Sequence, residues 1–537
     1  MKLNVKQKII VIIIGLTVLG TIAYQVFNKA PQKWDSAAHV NLAMLYALKI
    51  SEVRFEEIPT LSGFYPPLVH LLGASVYLVI PLFNSPLLLS FIFLGLGFLV
   101  IYKTSLILTE DKSTALFTVL IFSLLPQVYI ESRLFQLDLP LTVITLASTY
   151  FIFKTNGFTD KKNTFIVFIL MALAELTKWY AFVYLAVPAC FEFFKNNGVQ
   201  WHQVLKTKLV NVFLGLLIFA GIAAPWYTLN FNSIIDFFNT VSSQGELTDP
   251  QNPISIGSLL EYAQLAVAFQ TSFIVMGLII IGILYLIKEK DKNALLYTLG
   301  IIVPFLVFTL IKNKDVRYIM PLIPYYALIL GQFLRRLHKN KHFITDLLLL
   351  GSTGYLIICY IFISFNQIPR LSDNYSWVSR VYSSPWNKYQ WITTNTSAFA
   401  YQKYDWKVKN MFERLLELDT NRSRTGDVLF AVDFPYFNVI NFTTLQLQNK
   451  TYFQAIAGYQ LTDGLVNSFL ADPMNSKFEF IISSFNPGET GLRHYDNMVR
   501  INRFLQQNNN QIYQAEGFVH LPNGEDVYIF RKVGRYF

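Results

Sequence analysis

The sequence predicts an α-helical polytopic membrane protein with a C-terminal mixed α/β domain. Three observations predict it. Long apolar runs recur between Ile9 and Phe365. Only 15% of the 537 residues are charged, where soluble domains carry about a quarter. Lys and Arg gather in alternate loops between the runs, as the positive-inside rule expects. Beyond Phe365 the composition turns polar, rich in Asn, Gln, Ser and Tyr, and long apolar runs stop.

A spanning helix needs about 20 apolar residues. On that criterion spans are expected near 9–27, 86–108, 113–130, 138–154, 164–177, 179–195, 209–228, 270–287, 293–312, 318–334 and 343–365, about eleven in all. The pair 164–177 and 179–195 must turn sharply at Lys178. Lys2, Lys6 and Lys8 precede the first run, and no small-x-small cleavage site follows it, so an uncleaved first span with a cytoplasmic N-terminus is expected. Pro66–Phe83 is apolar but short and opens on a Pro-Pro pair. Counting it as a juxtamembrane or half-inserted helix on the outer side leaves Lys154, Lys161 and Lys162, then Lys195, Lys206 and Lys208, then Lys288, Lys290 and Lys292, then Arg335, Arg336, Lys339 and Lys341, in cytoplasmic loops. The opposite loop from Asn230 to Phe269 holds no Lys or Arg. The C-terminus then lies outside.

Two domains follow: a transmembrane domain over 1–365 and an extracytoplasmic α/β domain over 366–537. In the latter, Trp406–Leu418 has helical periodicity, Asp427–Val432 and Phe478–Ser483 read as buried strands, and Pro522-Asn523-Gly524-Glu525 between two apolar runs reads as a hairpin. Asn374, Asn395, Asn421, Asn441 and Asn449 match the N-glycosylation pattern, a cheap match in an Asn-rich segment.

The net charge of +10 is accounted for by the loops, which argues against a nucleic-acid partner. Both cysteines, Cys190 and Cys359, lie in apolar runs, so neither a disulfide framework nor a cysteine metal site is expected. No Walker loop or GxGxxG stands in a context for nucleotide binding.

Polar residues at membrane depth are costly and default to functional candidates. Trp34-Asp35-Ser36-Ala37-Ala38-His39 places a carboxylate just outside the first span. Partial desolvation would raise its pKa and make it a better base. Asp35 also stands where an N-cap for the run Ser36–Ile50 would stand. Asp35 and His39, four apart, are too few to define a metal site. Tyr65-Pro66-Pro67-Leu68, with His70, fixes a bend before an apolar helix. Glu131-Ser132-Arg133 and Asp138-Leu139-Pro140-Leu141 bracket a short outer loop, as functional groups or as a structural ion pair. Leu176-Thr177-Lys178 and Lys312-Asn313-Lys314-Asp315-Val316-Arg317-Tyr318 put cations on the side where the charge rule disfavours them. Lysines there also snorkel as interface anchors, but cations converging outside suit an anionic lipid phosphate.

Taken in order, Asp35, Tyr65-Pro66-Pro67-Leu68, Arg133 with Asp138-x-Pro140-Leu141, Leu176-Thr177-Lys178, and Arg317-Tyr318-x-x-Pro321-x-x-Pro324 resemble the GT-C membrane glycosyltransferases, specifically the protein O-mannosyltransferase and aminoarabinose-transferase group. The resemblance covers about residues 9–340. It implies a polyprenyl-phosphate sugar donor and an inverting transfer at the outer face of the plasma (inner) membrane, to a lipid, glycan or protein acceptor. It implies Asp35 as general base, and Tyr65, His70, Arg133, Asp138, Lys178, Arg317 and Tyr318 as substrate-binding residues. Lys178 and Arg317 would hold the donor phosphate, with Arg133 and Asp138 shaping the same cavity. No cofactor or metal is called for. The family often has Asp-Glu in the first loop, whereas Ser36 follows Asp35 here; Glu56, Glu57 and Asp138 are the candidates for a second acid. Rival readings are a lipid-diphosphate-dependent oligosaccharyltransferase or polymerase, a transporter or flippase, for which no internal repeat is evident, and a non-enzymatic scaffold.

Overall fold

The computed structural model describes residues 4–82, 84–195, 201–244, 255–340, 342–365, 402–419, 427–449, 451, 453–485, 495–507 and 512–533. The sequons Asn374, Asn395 and Asn421 lie outside these residues, as does part of the loop without Lys or Arg.

The N-terminal part is helical throughout: α1 (Val5–Phe27), α2 (Trp34–Ser51), α3 (Leu68–Val79), α4 (Leu88–Thr109), α5 (Lys112–Leu124), α6 (Pro126–Glu131), α7 (Asp138–Lys154), α8 (Lys161–Glu175), α9 (Phe182–Phe193), α10 (Trp201–Gln244), α11 (Ile256–Leu265), α12 (Phe273–Lys288), α13 (Ala294–Thr309), α14 (Ile323–Asn340) and α15 (His342–Phe365). Among the described residues, four helices are long and apolar enough to cross a membrane: α1, Ser85–Thr109, Val204–Asn239 within α10, and α15. Five shorter apolar helices accompany them, α3, α5, α9, α12 and α13.

Several predicted spans differ from the observed helices for local reasons. The run 113–130 breaks at Leu125, whose extended backbone precedes Pro126, so α5 and α6 are separate. The run 318–334 opens as a 3-10 turn, Val316–Leu322, containing Pro321. The run 209–228 is the middle of the longer α10, with Pro225 inside. The 12-residue α3 is about 18 Å long at 1.5 Å per residue, short of the hydrocarbon thickness.

Small residues let the helices close up. A Cβ on Gly97 of α4 would stand 3.1 Å from Val143 of α7 and 3.4 Å from Phe122 of α5. One on Gly331 of α14 would stand 2.3 Å from the hydroxyl of Thr118, which is itself bonded to the Thr114 carbonyl at 2.9 Å.

The C-terminal part carries α16 (Val408–Leu418), β1 (Asp427–Phe430), α17 (Val439–Asn449), β2 (Ala455–Ala457), α18 (Asp463–Ala471), β3 (Phe478–Ser484), α19 (Tyr495–Gln507), β4 (Tyr513–His520) and β5 (Asp526–Lys532). The sheet order is β2-β1-β3-β5-β4. β1 pairs in parallel with β2 and β3; β5 is antiparallel to β3 and β4. The central strands β1 and β3 are apolar on both faces because both are covered. Val428, Phe430, Phe480 and Ile482 pack with Met411 and Phe412 of α16 and Phe442 of α17. Leu429 and Ile481 pack with Phe469 of α18 and Ile501 and Leu505 of α19. The predicted hairpin is present, with Gly524 at φ +89° in the turn between β4 and β5.

This part docks on the segment between α1 and α2. The Lys29 amide donates to the Gln402 carbonyl at 2.7 Å, and Asn441 Nδ2 donates to the Gln32 carbonyl at 2.8 Å. Asn41 Nδ2 reaches the Thr443 hydroxyl at 2.9 Å. Asn441 is 1% exposed, so its sequon is closed to a glycan in the folded protein.

Overpacking a helix contact costs about 1–3 kcal/mol. Gly331→Val, which would drive α14 off Thr118, is therefore expected to lower the melting temperature in detergent by several degrees. An unchanged transition in a thermal shift measurement contradicts this packing.

Candidate active site

The starts of α2, α7 and α9 and the short α6 meet the 3-10 turn at Val316. Backbone ties fix them. The Leu68 amide donates to the Leu176 carbonyl at 3.0 Å, which locks the Tyr65–Pro67 bend to the Lys178 turn. The Phe135 amide bonds the Ser36 hydroxyl at 3.0 Å and the Gln32 amide oxygen at 3.3 Å, which locks the loop before α7 to the start of α2.

Asp35 is not the N-cap of α2. Lys33 occupies that position, with no side-chain cap bond, and Asp35 lies inside the first turn. Its carboxylate instead pairs with Arg317, Oδ2 to Nη2 at 2.8 Å, and half of its side chain is exposed. The expectation of a raised pKa is overturned. The Arg317 guanidinium beside it outweighs burial and, with a lesser contribution from Lys178, holds Asp35 below the ordinary carboxylate value. A charge far along the chain, invisible in the local sequence, decides the sign.

Arg317 is shared. Its Nη2 lies 2.5 Å and its Nε 2.8 Å from Asp315 Oδ2, and its backbone amide donates to Asp315 Oδ1 at 2.9 Å. Asp315 caps the turn that carries Arg317. Burial would raise the Asp315 pKa, but Arg317 outweighs it and holds the carboxyl down. Lys178 forms the second pair, Nζ to Asp138 Oδ1 at 2.7 Å, with Asp138 fully buried. Its ammonium stands 5.5 Å from the Tyr180 ring and 5.7 Å from the Tyr318 ring. The Tyr184 hydroxyl donates to the Tyr318 carbonyl.

Tyr65 lies beside Asp35, and burial, then that carboxylate, pushes its hydroxyl up to about 12. His39 and His70 share an N···N bond of 3.0 Å, and the Tyr65 ring meets His39 edge-on at 4.9 Å. Burial holds His39 well below its ordinary value.

Asp35, Tyr65, His70, Asp138, Lys178, Arg317 and Tyr318 thus gather in one place. Arg133 does not. It is buried among the rings of Tyr24, Tyr129 and Tyr360, 4.4–5.3 Å from their centroids, and its Nη2 donates to Ser364 at 2.7 Å. A turn of chain between Arg133 and Asp138 sends the two side chains to different cavities, and no Arg133–Asp138 pair forms. Of the other candidate acids, Glu57 pairs with Lys49 at 2.8 Å and with Arg54, near the opposite end of α2 from Asp35. Lys314 is structural, with its ammonium on the carbonyls of Phe308, Thr309 and Ile311 at the end of α13.

Three groups at the site were not singled out as site residues in the sequence. Asp315 sat inside a basic loop. Glu131 is buried beside Asp138, Arg317 and Asp315; burial and then Asp138 push its pKa up to about 8. Lys33 lies within electrostatic reach of Glu131 and Arg317. Among the described residues, no three His, Cys, Asp or Glu side chains group as metal ligands would.

Residues 66–227 match the family model described as dolichyl-phosphate-mannose-protein mannosyltransferase. No curated protein sequence matches the chain significantly. Among solved structures, apo ArnT from Cupriavidus metallidurans aligns over 98% of this chain and 98% of its own, with a TM-score of 0.59 at 10% identity. ArnT bound to undecaprenyl phosphate aligns over 97% of each chain, with a TM-score of 0.55 at 12% identity. The apo oligosaccharyltransferase of Archaeoglobus fulgidus aligns over 98% of this chain and 75% of its own, with a TM-score of 0.51 at 11% identity. At such identities the likeness is one of fold. The fold is that of these structures, a multi-pass membrane protein of the GT-C fold, and within it residues 66–227 are similar to the mannosyltransferase model.

Proposed function

We propose that the chain is a glycosyltransferase that moves a sugar, with inversion, from a polyprenyl-phosphate donor to an acceptor on the outer face of the membrane. The observation that carries this reading is the half-open Asp35 carboxylate paired with Arg317, within electrostatic reach of Lys178. One acceptor-facing base and two cations stand together. The solved ArnT complex with undecaprenyl phosphate supports the donor class by analogy of fold. The eleven-span topology, the cytoplasmic N-terminus, the plasma (inner) membrane and the extracytoplasmic C-terminal domain 366–537 belong to the same reading.

The chemistry runs as follows. The donor phosphate takes the exposed edge of Arg317 and the Lys178 ammonium, displacing part of their hold on Asp35 and Asp138. The bond between the sugar's anomeric carbon and the phosphate oxygen breaks, and its electron pair stays on the phosphate, where both cations offset the growing charge. The acceptor oxygen or nitrogen bonds that carbon from the opposite face, and its proton passes to Asp35. Tyr65 and Tyr318 wall the cleft. The prenyl chain is assigned to the apolar crevice between the membrane helices lined by Tyr184, Pro321, Pro324, Tyr325 and Leu328, which opens to admit it.

A positioned general base contributes about 10²–10⁴-fold. Asp35→Asn is expected to lower transfer by that factor while the fold persists, because Arg317 keeps Asp315. Transfer from radiolabelled polyprenyl-phosphate sugars by the purified variant at the wild-type rate would remove Asp35 as the base.

Glu131, at about 8, is neutral through the physiological range. Above that value it ionises beside Asp138 and Asp315 and opposes an anionic donor. The donor KM is therefore expected to rise above pH 8 in the wild type and to stay flat in Glu131→Gln. Parallel KM profiles for the two proteins would contradict this.

The similarity to an archaeal oligosaccharyltransferase keeps a diphosphate-donor reading in view. Transfer is expected to survive EDTA; its loss on chelation and return with Mg²⁺ or Mn²⁺ would favour that second reading.

A further inference from the structure

Arg133 stands apart from the cleft and has no anion of its own. It is 2% exposed. A guanidinium stays charged in a protein, and a buried charge is costly unless paired. The neighbouring acids are committed elsewhere, Asp138 to Lys178, and Asp35 and Asp315 to Arg317. The Arg133 Nη2 donates to the neutral Ser364 hydroxyl at 2.7 Å. Its Nε and Nη1 meet no acceptor among the described residues. The rings of Tyr24, Tyr129 and Tyr360 offset part of the charge, but they do not neutralise it. Buried donors left without acceptors call for an explanation.

Arg133 lines a crevice whose walls include none of the cleft residues Asp35, Tyr65, Lys178 and Arg317. Tyr24 and Asn28 reach it from the end of α1, Gln32 and Lys33 from the segment before α2, and Tyr436 from the C-terminal part. Among the described residues, no Asp or Glu lines it. Lys33 brings a second cation. Burial holds its ammonium down to about 8, with Glu131 acting the other way, so it is charged at neutral pH. Gln32 brings a donor, since its side-chain oxygen is taken by the Ser36 hydroxyl at 2.5 Å and the Phe135 amide at 3.3 Å. The walls are tied in place. Gln25 Nε2 donates to the Arg133 carbonyl at 2.7 Å, and the Gln402 amide donates to Asn28 Oδ1 at 2.9 Å.

We propose that this crevice is an anion subsite, separate from the donor-phosphate cleft, that takes a phosphate monoester on the acceptor or on a lipid headgroup. Two cations suit that group, which carries close to two negative charges at neutral pH, and a guanidinium matches its oxygens. A phosphate held by Arg133 and Lys33 is anchored two residues along the chain from Asp35. The link to an acceptor rests on the transferase reading above; the affinity for phosphate does not.

The test uses full-length protein in detergent. Affinities are read from thermal shifts titrated with glycerol phosphate, short-chain phosphatidic acid and the matching diacylglycerol. The wild type is expected to bind phosphatidic acid and not diacylglycerol. Arg133→Gln is expected to weaken that binding about tenfold and Lys33→Gln about threefold. Lys178→Gln, in the cleft, is expected to stay within about twofold of wild type. Glycerol phosphate binding as tightly as the lipid assigns the subsite to a soluble or acceptor phosphate; binding of the lipid alone assigns it to a headgroup. The proposal is overturned if Arg133→Gln melts earlier yet keeps the wild-type affinity, which would make Arg133 a helix fastener only. It is equally overturned if diacylglycerol binds as well as phosphatidic acid, or if the loss follows Lys178→Gln instead. Should Arg133→Gln fail to fold, an unchanged affinity in Lys33→Gln overturns it. A chain that binds phosphate as expected but transfers sugar from no polyprenyl-phosphate donor would sink the transferase reading and keep the subsite.

Discussion

A guanidinium shared between two carboxylates holds the candidate site of this protein together. Arg317 is pinned by Asp315 on its own turn, and that turn caps itself through the same carboxylate. Asp35 completes the fork from a different helix. A cation drawn from water near a membrane surface must be paired or pay heavily for desolvation. The ion pair therefore ties the first loop to the segment before α14, which would otherwise meet only through apolar packing. The Lys178–Asp138 pair does the same for α7 and the turn between α8 and α9.

The pairing also explains how such a site stands ready without a substrate. Both cations already carry anionic partners, so a phosphate entering the cleft exchanges one anion for another. Asp315 is bound to backbone as well as to the guanidinium, whereas Asp35 is half exposed and held by one bond to Arg317. The Arg317 guanidinium favours the ionised form of Asp35, the form the proposed base needs.

Much of this was legible in the sequence, and the physics says which part. Apolar runs and loop charges are local properties, so the membrane class, the C-terminal α/β elements and most helix positions could be read directly. Proline placement near Pro126 and Pro321 decided where runs broke into shorter helices, a detail that hydropathy averages away. Asp35, Lys178 and Arg317 stood out because each is costly where it sits. Asp315 and Glu131 did not: one is masked by surrounding basic residues, the other is one acid at a helix end. Arg133 and Asp138, close in sequence, suggested one cavity, yet the turn between them separates their side chains. The pKa of Asp35 was misread because burial is visible locally and its counter-charge is not.

The arrangement of the two domains follows from the same division between local and distant information. Nothing in Trp34 announces a left-handed backbone; its amide meets the Pro435 carbonyl, which arrives from the far end of the chain. The membrane helices place the cations, because Lys178 and Arg317 sit on tightly tied turns between them. The first loop is the less constrained partner, since α2 starts without a side-chain cap. Docking of α17 and the Phe434–Phe437 turn supplies the missing constraint. Asp35 is thereby tied to the C-terminal part, Lys178 and Arg317 to the helical part, and the candidate site lies where the two sets of ties meet.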